Sequence, residues 1–197
     1  MTDSRFLGRV NIGAALELQE NFWRERRECL LGFESEPVIT LGLRGRDGAD
    51  LVLNRDVLTE RGFQILSVDR GGQATLHNPG QLVIFPVCDV RRFGARGWIE
   101  LLSQVTVETL RAFGVESAWR ADCPGVYTSR GKIMSCGVRI RQGMSTHGIA
   151  INVCNDLNAF ALIRACGVSG AAVDSIGEGF SPSAVFTRWC ETFNSLS

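Results

Sequence analysis

The sequence predicts an α+β fold, with helices flanking a mixed or antiparallel sheet. Strand-like runs follow one another through short glycine or polar turns instead of alternating with helices as in a doubly wound fold. Apolar residues recur at helical spacing in only a few separated segments. The 197 residues carry 45% hydrophobic side chains, enough to bury one substantial core, and show no repeat or low-complexity linker, so residues 1–197 are expected to form one domain.

In chain order, residues 13–29 read as a helix, with Leu16, Phe22 and Trp23 among charges. PVITLGL (37–43) reads as a buried strand closed by the turn-prone RGRDGAD, and 55–61 as a short helix ended by Gly62. FQILSVD (63–69) and QLVIFPV (81–87) read as strands. In 97–113, Trp98, Leu101, Leu102, Val105, Leu110 and Phe113 share one helical face, and Gly114 follows as a stop. Strand-like segments come next at 115–119, 125–129, 133–141 and 146–153, then a short helical run at 157–162. A last helix, 183–195, aligns Val185, Trp189 and Phe193.

The 21 basic and 21 acidic residues cancel, so no electrostatic pull toward nucleic acid or a membrane surface is expected. No run approaches the length of a membrane span, and the N-terminal residues lack a signal-peptide pattern. Seven scattered cysteines without a C-x-x-C suggest neither a disulfide framework nor a zinc site, and a reducing cytoplasm is the expected setting. The two histidines, His77 and His147, lie in no ligand-like spacing, so no metal is expected.

The sharpest chemical clue is Lys132, the single lysine beside twenty arginines. Arginine can supply surface charge and ion pairs but does not release its proton near neutral pH, whereas a desolvated lysine can. Lys132 falls between two glycine-containing stretches, each holding one histidine. The first, RGGQATLHNPGQL (70–82), follows a strand, and Gly71, Gly72 and Gly80 allow close backbone approach to a ligand. A plain hairpin explains it equally well, and it is neither a P-loop nor a dinucleotide fingerprint. The second holds GKIMSCGVRI and STHGIAINV, expected to form a hairpin turning at Arg141–Met144 and presenting Lys132 and His147. For His147 a hydrogen-bonded rim or core role is the stronger reading. A third piece, IRACGVSG (163–170), sets Cys166 beside Gly167, with room for an acyl group at sulfur. Residue chemistry alone ranks Cys166 little above Cys136 and Cys123 as a nucleophile, and a buried structural thiol is the stronger reading.

In order, RGGQATLHNPGQL, PGVYTSRGKI, SCGVRIRQGMSTHGIAINV with NDLNAF, and ACG resemble the lipoate biosynthesis octanoyltransferase family over about residues 35–170. The resemblance implies an α+β sheet domain shared with lipoate and biotin protein ligases. It implies Cys166 as the acyl-thioester nucleophile and Lys132 as its dyad partner and general base. It further implies a substrate-binding loop of Arg70, Gly71, Gly72, Gln73, Ala74, Thr75, Leu76 and His77. Ser135, Cys136 and Gly137 with Gly148, Ile149 and Ala150 are implied to line the acyl site. The implied reaction moves octanoyl from octanoyl-acyl carrier protein to a lysine of the lipoyl domains of 2-oxoacid dehydrogenase complexes or of glycine cleavage H protein. No cofactor or ATP is implied, and a monomer is expected. The sequence departs from the family pattern at Leu76 and Asn78, beside the loop histidine, and at Arg164 and Ala165, where Asn-Pro often precedes the cysteine. Asn78 is expected to tolerate the left-handed conformation that glycine would supply. The alternatives are an ATP-dependent lipoate–protein ligase, a lipoyl-relay amidotransferase, and a non-enzyme that only binds lipoyl domains.

Overall fold

The computed structural model describes residues 1–164 and 172–197. Its elements are β1 (Ser4–Val10), α1 (Ile12–Arg24), β2 (Cys29–Ser35), β3 (Val38–Leu41), α2 (Arg55–Glu60), β4 (Gln64–Ser67) and β5 (Ala74–His77). They continue with β6 (Gln81–Val87), α3 (Gly94–Ala112), β7 (Ala118–Arg120), β8 (Gly125–Tyr127), β9 (Lys132–Arg141), β10 (Met144–Asn152), a 3₁₀ turn (Leu157–Leu162) and α4 (Pro182–Leu196). Seven strands make one sheet, β1-β2-β6-β10-β9-β8-β7, and β4-β3-β5 make a smaller one. In the large sheet β1 runs parallel to β2 and the remaining neighbours are antiparallel. The α+β class with a mixed sheet and flanking helices, expected from the sequence, is the observed one.

The large sheet is covered on both faces, which explains the unbroken apolar run of β6. Leu82 and Ile84 turn toward α3 and α4, where Trp98, Leu102, Val105, Trp189 and Phe193 complete one core. Val83, Phe85 and Val87 turn the other way, against Ile12, Ala15 and Phe22 of α1. The small sheet packs a third cluster from Ile39, Leu41, Leu76, Leu58, Phe160 and Ile163. Helix ends follow their sequence signals. The Asn11 side chain accepts the Gly13 N–H at 2.8 Å, and the Ser181 hydroxyl accepts that of Ala184 at 3.2 Å, ahead of Pro182.

The first expected helix is too long: α1 stops at Arg24, and Cys29 onward is strand. The reason lies in the period. Cys29, Leu31 and Phe33 face α1 while Leu30 faces α3 and α4, a two-residue alternation that a helix cannot satisfy. β1, at the sheet edge and largely unburied, had too little apolar pattern to be recognised, and β5 was hidden inside a stretch read as a glycine-rich loop.

Candidate functional site

The RGG stretch lies across the α1-side face of the large sheet, next to the small sheet. Arg70 O, Gly72 O and Gln73 O accept the N–H groups of Leu43, Arg44 and Gly42 at 3.0, 3.1 and 3.3 Å. On the other flank, Gly71 donates to Val138 O of β9 at 3.1 Å. Such close passage requires glycine on each side. A Cβ on Gly42 would lie 2.4 Å from Gly72 O, and one on Gly137 would lie 2.9 Å from Arg70 Cδ. The loop is therefore stitched between both sheets, with β5 as its exit.

Beneath it, the two strand segments singled out from sequence are register partners. Ser135 opposes Ala150, Cys136 opposes Ile149 and Gly137 opposes Gly148 across β9 and β10. Together with the loop they bound two adjoining cavities that share Arg70, Thr75, Ser135 and Cys136. One, of about 80 Å³, adds Lys132, Arg44, Gly72, Gln73, Ala74 and Ile163. The other, of about 30 Å³, runs under α1 and is walled by Ile12, Leu16, Val68, Val83 and Phe85. Every proposed loop residue except Gly71 and Leu76 lines one of these spaces. Leu76 instead points into the small-sheet core, so its difference from the family pattern is a packing matter.

Lys132 opens β9 and is 8% exposed. Its backbone N–H bonds Ala172 O and its carbonyl accepts Asp174 N–H, both at 2.9 Å. Gly131 allows this approach, since a Cβ there would sit 2.6 Å from Ala172 C and O. The Asp174 carboxylate then bonds Arg130 at 2.9 Å, the Ser175 N–H at 2.9 Å and the Thr128 hydroxyl. Burial works to raise the Asp174 pKa, but these bonds and the Arg130 charge outweigh it and hold the group below the usual carboxylate range.

Arg70 is a buried cation with no carboxylate partner among the described residues. It donates to Thr40 O and Oγ1 at 2.8 Å and to Gly71 O at 3.0 Å, so three of its five N–H groups are engaged. Burial lowers its pKa to about 10, against a small opposing effect of Cys136. His77 sits behind it. Gln81 Nε2 donates to Asn152 Oδ1 at 2.9 Å and to Leu76 O at 3.3 Å, which leaves Gln81 Oε1 to accept from His77 Nδ1 at 2.7 Å. Nδ1 therefore carries the proton, and burial lowers the ring's pKa to about 4. Cys136 lines both cavities, yet burial pushes its thiol up to about 12 in spite of Lys132 and Arg70, so it is a wall and not an activated nucleophile.

Cys166 lies outside the described residues. The segments on either side of 165–171 are both tied to the site. Arg164 N–H bonds Asp50 O at 2.7 Å, and Ala172 O receives the Lys132 N–H. The expected hairpin is present, but the strands run to Arg141 and Met144, leaving Gln142 and Gly143 as a two-residue turn with φ of 50° and 82°. It does not bring Lys132 and His147 together. His147 opposes Val138, six residues along β9 from Lys132 and about 20 Å away by strand rise. His147 is a buried rim residue: its Nε2 meets Asp69 at 2.6 Å, and Arg139 shares that carboxylate at 2.8 Å. Asn78 is not left-handed; Gly80 takes that role with φ of 87°. Asn78 uses its amide instead, donating to Asp156 O at 2.8 Å and accepting from Asn155 at 3.0 Å.

Two supporting residues were not found from sequence. The buried Asp50 carboxylate accepts from Gln73 Nε2 at 3.1 Å and Ala74 N at 3.2 Å, fixing the loop's middle. Thr40 anchors Arg70. Asp50 had read as one more polar turn residue, and Thr40 as one residue of a buried strand. Among the described residues no His, Cys, Asp and Glu group could hold a metal ion. No described helix is long and apolar enough to cross a membrane.

The mixed sheet with its flanking helices is the fold of lipoate and biotin protein ligases of known structure. The chain superposes on a bipartite lipoate protein ligase from Thermoplasma acidophilum with TM-score 0.83 and 16% identity, covering 100% of this chain and 84% of that one. Biotin protein ligase from Aquifex aeolicus in complex with biotin and ATP gives 0.59 at 14% identity, over 99% and 72%. Within that architecture the chain belongs to the lipoyl protein ligase A/B catalytic domain family, whose model matches residues 11–193. It is 37% identical over 196 residues to an octanoyltransferase from Methylococcus capsulatus, covering 93% of this chain and 91% of the relative.

Proposed function

We propose that this chain is an octanoyltransferase of protein lipoylation, moving octanoyl from octanoyl-acyl carrier protein to a lipoyl-domain lysine through a Cys166 thioester. The observation that carries the reading is a buried lysine, the only one in the chain, set in a cavity whose walls come from the RGG loop and the paired Ser135–Gly137 and Gly148–Ala150 segments. Ile163 lines the same cavity, and Cys166 follows it by three residues, a chain reach of at most about 11 Å. That reach supports a Cys166–Lys132 dyad, and the raised thiol of half-buried Cys136 favours Cys166 as the nucleophile. The name octanoyltransferase carried by the curated relatives supports the transfer reaction, and membership of the lipoyl protein ligase A/B family supports a lipoyl-domain acceptor.

In the first half-reaction, Cys166 thiolate attacks the thioester carbonyl of the donor. The carrier thiolate leaves and takes the proton of the Lys132 ammonium, so an octanoyl-cysteine and a neutral Lys132 remain. In the second, Lys132 accepts a proton from the acceptor's ammonium, the freed amine attacks, Cys166 leaves as thiolate, and the nitrogen gives its second proton to solvent as the amide forms. Arginine cannot perform that proton exchange near neutral pH. The unengaged N–H groups of Arg70 are available to the acyl carbonyl oxygen. The apolar space under α1 takes the acyl tail. At about 30 Å³ it holds roughly the volume of one water, so Ile12 and Leu16 must yield when the tail enters. We assign the reaction to the cytoplasm and to a single domain spanning the chain.

The test is transfer to a lipoyl domain with octanoyl-acyl carrier protein as donor and no ATP. Product formation supports the reading. Transfer only from free octanoate with ATP would mark a ligase, transfer only from an octanoylated protein would mark a relay enzyme, and none from any donor would mark a binding protein.

A further inference from the structure

We infer that Gly125 and Tyr127 of β8 are positioning residues for Lys132. The inference rests on the proposed role of Lys132 in proton transfer. Pairing of β8 with β9 runs Gly125–Ser135, Val126–Met134, then Tyr127–Lys132, so Ile133 is an extra residue on β9. This is a β-bulge, and its consequence is visible in the packing. Ile133 and Met134, though consecutive, both enter the core beneath α3 and α4. Lys132 and Ser135 are thereby placed together on the opposite side, where both line the cavity under the RGG loop. Without the bulge, strict alternation would send Lys132 to the face of Met134.

Once turned, the side chain needs a track. Gly125 provides it, because a Cβ there would lie 2.3 Å from Lys132 Cε, 3.1 Å from Nζ and 2.6 Å from Met134 O. The carbonyl cannot move without breaking the strand, so no larger residue fits with lysine in this place. Tyr127, the chain's one tyrosine, forms the side rail: Nζ lies 5.5 Å from its ring centroid. That ring is itself fixed. Its hydroxyl donates to Cys123 O at 3.0 Å, and the Arg120 guanidinium, held by Asp122 at 2.7 Å, sits 5.0 Å from the centroid. Beyond the ring opens a cavity of about 720 Å³ bounded by Arg120, Cys123, Tyr127, Arg130 and Lys132. Lys132 thus borders this outer cavity as well as the one under the RGG loop, and the ring stands beside it where the two meet.

Because Lys132 is the only lysine, protein made with ε-carbon-labelled lysine gives one side-chain methylene resonance, and the Tyr127 ring current displaces it. The variants are Gly125→Ala, Tyr127→Leu, Tyr127→Phe and Lys132→Arg, each assayed for octanoyl transfer and melting temperature. Tyr127→Leu and Gly125→Ala are expected to lower kcat by about tenfold to a hundredfold with little change in KM, and Gly125→Ala, which keeps the ring, is expected to move the lysine resonance. Tyr127→Phe, which also keeps the ring, should recover most of the turnover. If Gly125→Ala fails to fold, the turnover of Tyr127→Leu against that of Tyr127→Phe still decides. Loss of kcat with an unmoved lysine resonance in Gly125→Ala, or wild-type turnover in Tyr127→Leu beside an inactive Lys132→Arg, overturns the positioning role alone. Wild-type turnover in Lys132→Arg would instead sink the proton-transfer role and the inference with it.

Discussion

Replacing Asp50 separates what its charge does from what its shape does. The buried carboxylate receives two hydrogen bonds, from Gln73 Nε2 at 3.1 Å and Ala74 N at 3.2 Å. Asp50→Ala removes both acceptors and leaves a buried backbone N–H without a partner. At about 1.5 kcal/mol for each bond to a charged group, the loss is about 3 kcal/mol. For a chain of this length that corresponds to roughly 6–12 °C in Tm. Asp50→Asn keeps an oxygen for Ala74, and a flipped Gln73 amide can accept from the new NH2 group, so its cost is expected under about 1 kcal/mol. Urea unfolding and transfer kcat, measured on both variants, check this. Because Gln73 and Ala74 border the Lys132 cavity, Asp50→Ala should lose activity as well as stability. An Asp50→Ala protein as stable as wild type, or an Asp50→Asn protein as damaged as Asp50→Ala, would refute the reasoning.

Further expectations follow from the same geometry. Lys132→Arg keeps the charge but should abolish transfer under conditions where the fold, followed by circular dichroism, is intact. Gly80→Ala introduces a Cβ 2.8 Å from Asn155 N at a φ of 87°, and calorimetry should show a loss of at least about 1 kcal/mol. His77 links stability to pH. Its pKa falls from 6.5 to about 4 on folding because of burial, so the unfolded chain takes up its proton first as pH drops. The contribution is complete above pH 6.5 and is lost as pH falls toward 4, by up to about 3 kcal/mol. Denaturant midpoints from pH 7 to 4 should therefore decline, and His77→Gln should flatten part of that slope. His147, also lowered chiefly by burial, supplies more of the same sign.

Most of the architecture was legible where one face of an element repeats. The expected strand at 81–87 coincides with β6, and the last helix and the 97–113 helix are each present within a few residues of the expected ends. The failures have local causes. Cys29–Phe33 is apolar on both faces, so no alternation marked it as a strand and its first residue fell inside the expected helix, while β1 is a half-buried edge with little apolar pattern. In the site, the glycines of the RGG stretch left a binding loop and a plain hairpin equally open, and the site role of the β9–β10 segments was implied only by the family resemblance. Asp50 and Thr40 left no mark, since one buried hydrogen bond has no periodicity. The expected hairpin carries both Lys132 and His147, but at opposite ends of its strands, because His147 lies near the turn and Lys132 opens β9.

The central claim is the acyl-enzyme. Intact mass after mixing the protein with octanoyl-acyl carrier protein, beside Cys166→Ala, tests it most directly. The account predicts a gain of one octanoyl group that hydroxylamine removes and that the Cys166→Ala protein does not show. An unmodified wild-type protein that still transfers octanoyl to a lipoyl domain, or an adduct that persists in Cys166→Ala, would contradict it.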